Sequence, residues 1–275
     1  MRHKSSAAQP TSAVVPAVVA RATLLAAVLA VSAAFGLDNH RYGLNARHQI
    51  PLAASAANDV PLREQLELPR GKAATGAFRF VALGDAGTGG KQQYEVAHRM
   101  NVFHDERPFG LVLFLGDNIY PNGAPADFER KFTRPYAQLV RRQVELRGCL
   151  GNHDVRDARG ALMQMRLFGM ISRPYHSFTK EGDLIEFFAL DSTRLGKRAR
   201  EDGNDDEQLR WLDTALARSV ARWKLVFLHH PLYSSGKRHG HGSRDERRML
   251  QLRADLEPIL IKHKVSVVLS GHDHI

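Results

Sequence analysis

The sequence predicts a layered α/β fold, with helices covering the faces of its sheets. Three observations predict it. From Phe78 onward, apolar runs of strand length alternate with stretches of helical spacing. Leu111–Leu115 is a near-continuous apolar run, the pattern of a strand buried on both faces. Five short blocks, most of them built on Gly, Asp and His, each follow an expected strand, where open α/β sheets bind ligands. The 275 residues are enough to bury a full core, as one large domain or two small ones.

In chain order, the first segment is a leader. Arg2 and Lys4 precede an apolar stretch, and Arg21 sets off a tighter run from Ala22 to Val31, followed by small residues at Ser32, Ala33 and Ala34. This is the pattern of an export signal with its cleavage site. The run from Ala22 to Leu37 is short for a membrane span, which needs about 20 apolar residues. Residues 1–37 are expected to be a signal peptide or, alternatively, an uncleaved signal anchor held in a membrane through residues 22–37. Either way the folded part is expected outside the cytoplasm, exported to the periplasm or beyond the cell, or membrane-anchored. Residues 38–76 lack periodicity and read as a linker, which leaves 77–275 as the folded domain.

Within that domain Phe78–Leu83 is a short strand, and Lys91–His104 is a helix with Val96, Met100 and Val102-Phe103 facing inward. After the strand Leu111–Leu115, a helix is expected over Pro135–Val144, a strand over Val144–Leu150 and a Met- and Leu-rich helix over Ala158–Met170. Tyr175–Thr179 and Leu184–Leu190, separated by Lys180-Glu181-Gly182-Asp183, read as a hairpin and hence an antiparallel portion of sheet. Asp205 or Asp206 is expected to cap a helix running to about Ser219, with Leu209, Leu212 and Leu216 inward. Trp223–Leu228 is a strand, Glu246–Lys264 a helix interrupted or bent near Pro258, and Val265–Leu269 a last strand. The chain stops one residue after His274, so a C-terminal continuation is expected to be missing.

Composition narrows the function. Hydrophobic content of 43% and charged content of 25% are ordinary for a globular protein. A formal charge of +10 would suit a polyanion, but residues 1–57 carry Arg2, Lys4, Arg21, Arg41 and Arg47 against Asp38 alone. The remaining basicity suits a small anionic substrate. Basic residues are not interleaved with aromatics as in nucleic-acid modules, so no nucleic-acid partner is expected. The run Arg194–Arg200 reads as a basic exposed loop, or otherwise as a patch for polyanions or headgroups. Cys149 is the only cysteine, which excludes an intramolecular disulfide and points to a buried thiol.

The five blocks are Gly84-Asp85-Ala86-Gly87, Gly116-Asp117-Asn118-Ile119-Tyr120, Gly151-Asn152-His153-Asp154, Val226-Phe227-Leu228-His229 and Gly271-His272-Asp273-His274. They offer the carboxylates Asp85 and Asp117, the phenol Tyr120, the amide Asn152 and the imidazoles His229, His272 and His274. Hard oxygen donors mixed with imidazoles hold two metal ions close together when one carboxylate bridges them. In an extended His272-Asp273-His274 both imidazoles face one way and Asp273 the other. The glycine ahead of most of the ligands lets the chain turn off its strand and approach a metal closely. His230 alternates away from His229 and reads as structural, as do His98 and His104 on their helix.

These blocks resemble those of the calcineurin-like metallophosphoesterases, and Tyr120 in Gly-Asp-x-x-Tyr narrows the likeness to the purple-acid-phosphatase branch, over residues from about 78 to the end. The resemblance implies a four-layer α/β/β/α sandwich with two mixed sheets, truncated here at its C-terminus. It implies that Asp85, Asp117, Tyr120 and His274 hold a first metal, and that bridging Asp117 with Asn152, His229 and His272 holds a second. His153 would stand near the leaving-group oxygen as a candidate general acid. A His-Gly pair in the loop Ser234–Ser243 would contact substrate phosphate, and His239 and His241 both fit. Asp154 stands where the eukaryotic enzymes commonly have Glu, a departure expected to matter little for metal binding.

The implied activity is acid-phosphatase-like hydrolysis of phosphomonoesters. A metal-bridged hydroxide attacks phosphorus in line, and His153 protonates the leaving alkoxide. A phenolate favours Fe(III) in the first site, and Zn, Mn or Fe(II) would suit the second. The alternatives are a phosphodiesterase or nucleotidase on the same site and, from another class, a metal-stabilised binding domain without turnover.

Overall fold

A computed structural model describes residues 78–196, 204–236, 239, 242–243 and 245–274. The leader and linker expected over residues 1–76 lie outside the described residues, as do Lys197 to Gly203, Lys237, Arg238, Gly240 and His241. Strands β1 (Phe80–Leu83), β2 (Leu111–Leu115) and β3 (Glu145–Cys149) pair in parallel in that order. A second sheet has the order β4 (His176–Lys180), β5 (Ile185–Ala189), β6 (Trp223–Phe227), β7 (Val267–Leu269). There β4 and β5 are antiparallel, and β5, β6 and β7 are parallel. Among the described residues five α-helices accompany them: α1 (Lys91–Glu106), α2 (Arg134–Arg141), α3 (Ala158–Leu167), α4 (Asn204–Arg218) and α5 (Glu246–Lys262).

The alternation of side chains along each strand builds four layers. Val81, Leu83, Val112, Phe114 and Leu146 face a core shared with Ala97 and Met100 of α1 and Tyr136 and Leu139 of α2. Their neighbours Phe80, Ala82, Leu111, Leu113 and Cys149 face Ile185, Phe187, Leu225 and Phe227 across the gap between sheets. Phe188, Val226 and Leu228 then face Leu212 and Leu216 of α4 and Leu252 and Leu256 of α5. Burial in the middle core pushes the Cys149 thiol well up, so it stays neutral.

The two-sheet α/β architecture is the one expected, with differences of detail. Antiparallel pairing is confined to the β4–β5 hairpin; the described strands of the first sheet are all parallel, because helical crossovers connect them. Helical structure before β3 begins ten residues earlier than Pro135, with a 3-10 turn over Pro125–Asp127 and a π-helical turn over Glu129–Thr133 leading into α2. Phe128, Phe132 and Tyr136 line its inner face, successive ring centroids 5.3 and 5.5 Å apart. Helix α4 begins at Asn204, so Asp205 and Asp206 lie inside its first turn instead of capping it. Pro258 sits inside one helix, α5, without interrupting it. Strand β7 starts two residues late because the chain must first leave α5. Lys264 turns left-handed (φ 55°), and the Val265 amide bonds back to the Leu260 carbonyl at 3.0 Å.

One half-buried group on β4, with both ring nitrogens out of solvent, makes the fold sensitive to acid. His176 stacks on Phe178, and neither of its ring nitrogens has a hydrogen-bond partner among the described residues. Burial first, and then Arg147, hold its pKa down to about 4. A group depressed in this way contributes stability above the unfolded-state value and loses it as pH falls through the folded one. Stability is therefore expected to fall by about 2–3 kcal/mol between pH 6.5 and 4 from this residue alone. His176→Phe should remove that part of the loss, read from urea melts at several pH values.

Candidate metal centre

The carboxyl ends of β1, β2 and β3 meet those of β6 and β7 on one rim, and backbone bonds tie neighbouring strand ends within each sheet. The Asp85 amide donates to the Gly116 carbonyl at 3.0 Å, and the Gly271 amide donates to the His229 carbonyl at 3.0 Å. Three of the seven expected ligands occupy the left-handed region themselves: Asp85 (φ 57°), Asp117 (φ 51°) and His272 (φ 71°). Non-glycine residues hold such a conformation at a cost of about 1–3 kcal/mol each, and they do so where surrounding structure fixes them. Gly116 (φ 87°) turns the chain ahead of Asp117 as expected, while other glycines of the rim have a different part. A Cβ on Gly151 would lie 2.2 Å from the Asp117 amide nitrogen and Oδ1, and one on Gly271 would lie 2.6 Å from Asp85 Oδ2. These two leave room for the ligand carboxylates, and Asp85 and His272, which no left-handed glycine precedes, make the turn themselves.

All seven side chains converge as two clusters. In the first, Tyr120 Oη lies 3.2 Å from Asp85 Oδ1 and 3.0 Å from His274 Nε2, and that nitrogen is 3.1 Å from Asp85 Oδ1. In the second, His229 Nε2 lies 3.1 Å from both Asn152 Oδ1 and His272 Nδ1. Asp117 stands between the two. Its Oδ2 is 3.5 Å from His229 Nε2, and Asp85, Asp117 and His229 each offer a donor atom within 4.8 Å of the others. Donors roughly 3 Å apart are what one ion with ligands at about 2.1 Å requires.

The residues fit metal ions on electrostatic grounds too. Asp85 and Asp117 are buried on this rim, with a third carboxylate, Asp154, behind them. Burying carboxylates is costly without a positive partner. Without an ion, His229 is that partner. Burial opposes its charge, but Asp117 outweighs burial and lifts it to about 9. Burial likewise pushes Asp117 up, and His229 and the His153 amide and ring overcome this to bring it down to about 2. Burial, then Asp117 and Asp85, raise the Tyr120 phenol strongly, so only a bound cation would make it a phenolate. Burial, then His229 and His239, push His272 down to about 3, which keeps it neutral as a ligand must be.

Supporting contacts aim these groups. His229 Nδ1 is 2.9 Å from the Leu115 carbonyl; it must donate there, so Nε2 is the nitrogen that faces the cluster. His153 does the same with the Pro121 carbonyl at 2.6 Å, which leaves its Nε2 3.9 Å from Asp117 Oδ2. The irregular helical turn before α2 also contributes: buried Lys131 donates from Nζ to the Tyr120 carbonyl, holding that turn from behind. Asp273 lies against the backbone of Gly236, away from the two histidines that flank it.

Asp154 matters more than its sequence reading implied. It is fully buried, and its oxygens accept from the amides of Asn118, Ile119 and Gly151 at 3.1, 3.0 and 2.8 Å and from the side chains of Asn118 and Gln164. It thereby ties the turn bearing Asp117 to the turn bearing Asn152. Burial and nearby Asp117 raise it to about 6. The sequence reading also missed Asp245. It stands 2.6 Å from His239 Nδ1, and His239, Asp245 and His272 form a further group of donor atoms within 4.8 Å. His230 bonds Ser192 Oγ at 2.9 Å, while its ring packs 4.4 Å from His272. His104 meets Arg142 at 3.1 Å, outside the cluster.

A cavity of about 860 Å³ lies on the same rim, bordered by Leu150 after β3 and Tyr175 before β4, with Val155, Leu162, Arg173 and Arg194.

Fold and cluster together define a class: a two-sheet α/β sandwich with metal-ligating side chains at its strand ends. Residues 78–275 match the calcineurin-like phosphoesterase family, and the chain belongs to it. Among its relatives, purple acid phosphatase 17 of Arabidopsis thaliana is 30% identical over 220 residues, 72% of this chain and 63% of the relative. Tartrate-resistant acid phosphatase type 5 of Mus musculus is 26% identical over 238 residues, 75% of this chain and 69% of the relative. The chain thus spans just under two thirds of the Arabidopsis protein's length. Two solved structures share the fold. GAP50, the anchor in the inner membrane complex of Plasmodium, has a TM-score of 0.57 at 21% identity, covering 71% of this chain and 66% of that one. A dimetal phosphatase from Danio rerio has a TM-score of 0.54 at 17% identity, covering 71% and 81%.

Proposed function

We propose that this chain is an exported phosphatase that hydrolyses small phosphomonoesters at a centre of two metal ions. The observation that carries the reading is Asp117, buried between two donor clusters that share it. Asp85, Tyr120 and His274 would hold one ion with Asp117; Asn152, His229 and His272 would hold the other with the same carboxylate. Fe(III) suits the cluster with the phenol, and Zn, Mn or Fe(II) suits the cluster rich in imidazole. When bound, such a pair supplies a nucleophile at ordinary pH and neutralises charge on the phosphoryl oxygens.

The remaining work falls to the chain. With Nδ1–H committed to Pro121, His153 presents Nε2 beside Asp117, where a protonated ring can hand its proton to the leaving oxygen. His239, whose ring packs 4.0 Å from that of His272, would contact a phosphate oxygen. His241, the other histidine expected to meet phosphate, lies outside the described residues. The cavity beside the Asn152–His153 turn gives room for the organic part of the ester, with Arg173 and Arg194 in its lining. The likeness to purple and tartrate-resistant acid phosphatases supports this reading. Export rests on the leader pattern in residues 1–37. Among the described residues no helix is long and apolar enough to cross a membrane.

The test is a side-by-side assay of the full chain, loaded with Fe(III) and Zn(II), on p-nitrophenyl phosphate and bis(p-nitrophenyl) phosphate. At least a tenfold higher kcat/KM for the monoester is expected. Preference for the diester would replace the reading with a phosphodiesterase. Hydrolysis of neither by a chain holding two ions would leave a metal-stabilised binding domain.

A further inference from the structure

We infer that Asp245 is a positioning residue of this centre, one carboxylate that sets two histidines, His239 toward bound phosphate and His272 toward its ion. The inference rests on the proposed function and goes beyond it, because nothing in the ligand pattern calls for a carboxylate here.

Geometry carries the argument. Asp245 Oδ2 lies 2.6 Å from His239 Nδ1 and 3.9 Å from His272 Nε2. The two rings pack against each other with centroids 4.0 Å apart. A carboxylate can only accept, so His239 Nδ1 must carry the hydrogen, and Nε2 is the nitrogen turned away from Asp245. His272 uses its other nitrogen, Nδ1, toward His229 and so toward the second cluster, at 3.1 Å. Its Nε2 side therefore faces Asp245, at a distance that is an electrostatic contact and not a hydrogen bond. A carboxylate behind a ligating imidazole holds ring and tautomer in place.

The position of Asp245 adds an independent observation. It immediately precedes α5, and its carbonyl accepts from the Met249 amide at 3.0 Å. An aspartate at that place ordinarily turns its side chain onto the helix amides. Here the side chain makes no capping bond to the helix, and its carboxylate is turned to His239 instead. The helix start thus fixes the backbone of Asp245, and the side chain transmits that position to the loop carrying His239.

The test compares D245N, D245E, H239A and the double variant D245N/H239A, each in the full chain loaded with two ions. Calorimetry with inorganic phosphate reads the site without turnover, and titration of Zn(II) into the apo chain reads the ions. D245N, close in shape to the native residue, is expected to weaken phosphate about 10-fold and the weaker-bound ion about 10-fold while the other ion is unaffected. KM should rise more than kcat falls, and D245E should recover part of the phosphate affinity. In the double variant phosphate affinity should be no lower than in H239A, as expected when one residue acts through the other. Unchanged phosphate and ion affinities in D245N, or losses that add fully to those of H239A, would overturn the inference. A wild-type chain that takes up no ions would refute the metal centre and the inference with it; one that takes up two and matches D245N refutes the inference alone.

Discussion

Asp117→Ala removes both metal ions from the protein and drops turnover to background. The expectation follows from the position of one carboxylate between two clusters. Its Oδ2 lies 3.5 Å from His229 Nε2, and its Oδ1 accepts from the His153 amide at 2.9 Å. Each cluster without Asp117 keeps three donors, but the substitution also removes the charge that two neighbouring cations need between them. His229 is affected as well. Its elevation to about 9 depends on Asp117, so in the variant the buried ring reverts toward the neutral form. Metal analysis after equilibrium dialysis should find fewer than one ion per chain, where wild type is expected to hold two. Asp117→Asn, which preserves shape, should lose at least one. Two ions retained in Asp117→Ala would show that the clusters do not share this residue.

His153→Ala should keep both ions and slow turnover by about 10²–10⁴-fold, the usual contribution of a positioned general acid. His153 is not among the seven clustered donors, and its side chain is about a quarter exposed. Removing it leaves the Pro121 carbonyl with Arg156, which already donates to it at 3.1 Å, so the turn keeps a partner. The loss should depend on the leaving group. An alkyl phosphate, whose alkoxide needs a proton, should suffer most; p-nitrophenyl phosphate, whose leaving group needs little help, should suffer least. Equal kinetics of variant and wild type on an alkyl ester would take His153 out of the reaction.

The rim was legible in the sequence because its donors lie in short local blocks at the ends of apolar strands. Asp85, Asp117, Asn152, His229, His272 and His274 each follow such a run within a few residues, but the extended His272-Asp273-His274 expected from alternation is replaced by a turn at left-handed His272. Strand runs such as Leu111–Leu115 were legible for the same reason, as burial on both faces leaves no polar residue in them. What depends on distant contact was not. Asp154 looked like a small change of side-chain length, yet five donors from three separate segments converge on it. Asp245 belongs to none of the five blocks, and only tertiary structure shows His239 in that carboxylate's reach. The irregular turns over Pro125–Thr133 escaped because no 3.6-residue pattern marks a π-helical turn, although Phe128 and Phe132 were visible as apolar residues. The left-handed ligands were hidden as well: a Gly-Asp pair suggests that glycine makes the turn, which holds for Gly116, yet Asp85 and Asp117 have positive φ themselves.

The most direct test of the binuclear centre is metal content and visible spectrum measured together on the full chain reconstituted with Fe(III) and Zn(II), beside its Tyr120→Phe variant. Without an ion the buried phenol is held protonated by burial and by Asp117 and Asp85, so any phenolate signal must come from a bound cation. The account predicts two ions per chain and a visible charge-transfer band that disappears in Tyr120→Phe. A folded protein that binds fewer than two ions, or a band that survives the loss of Tyr120, would contradict it.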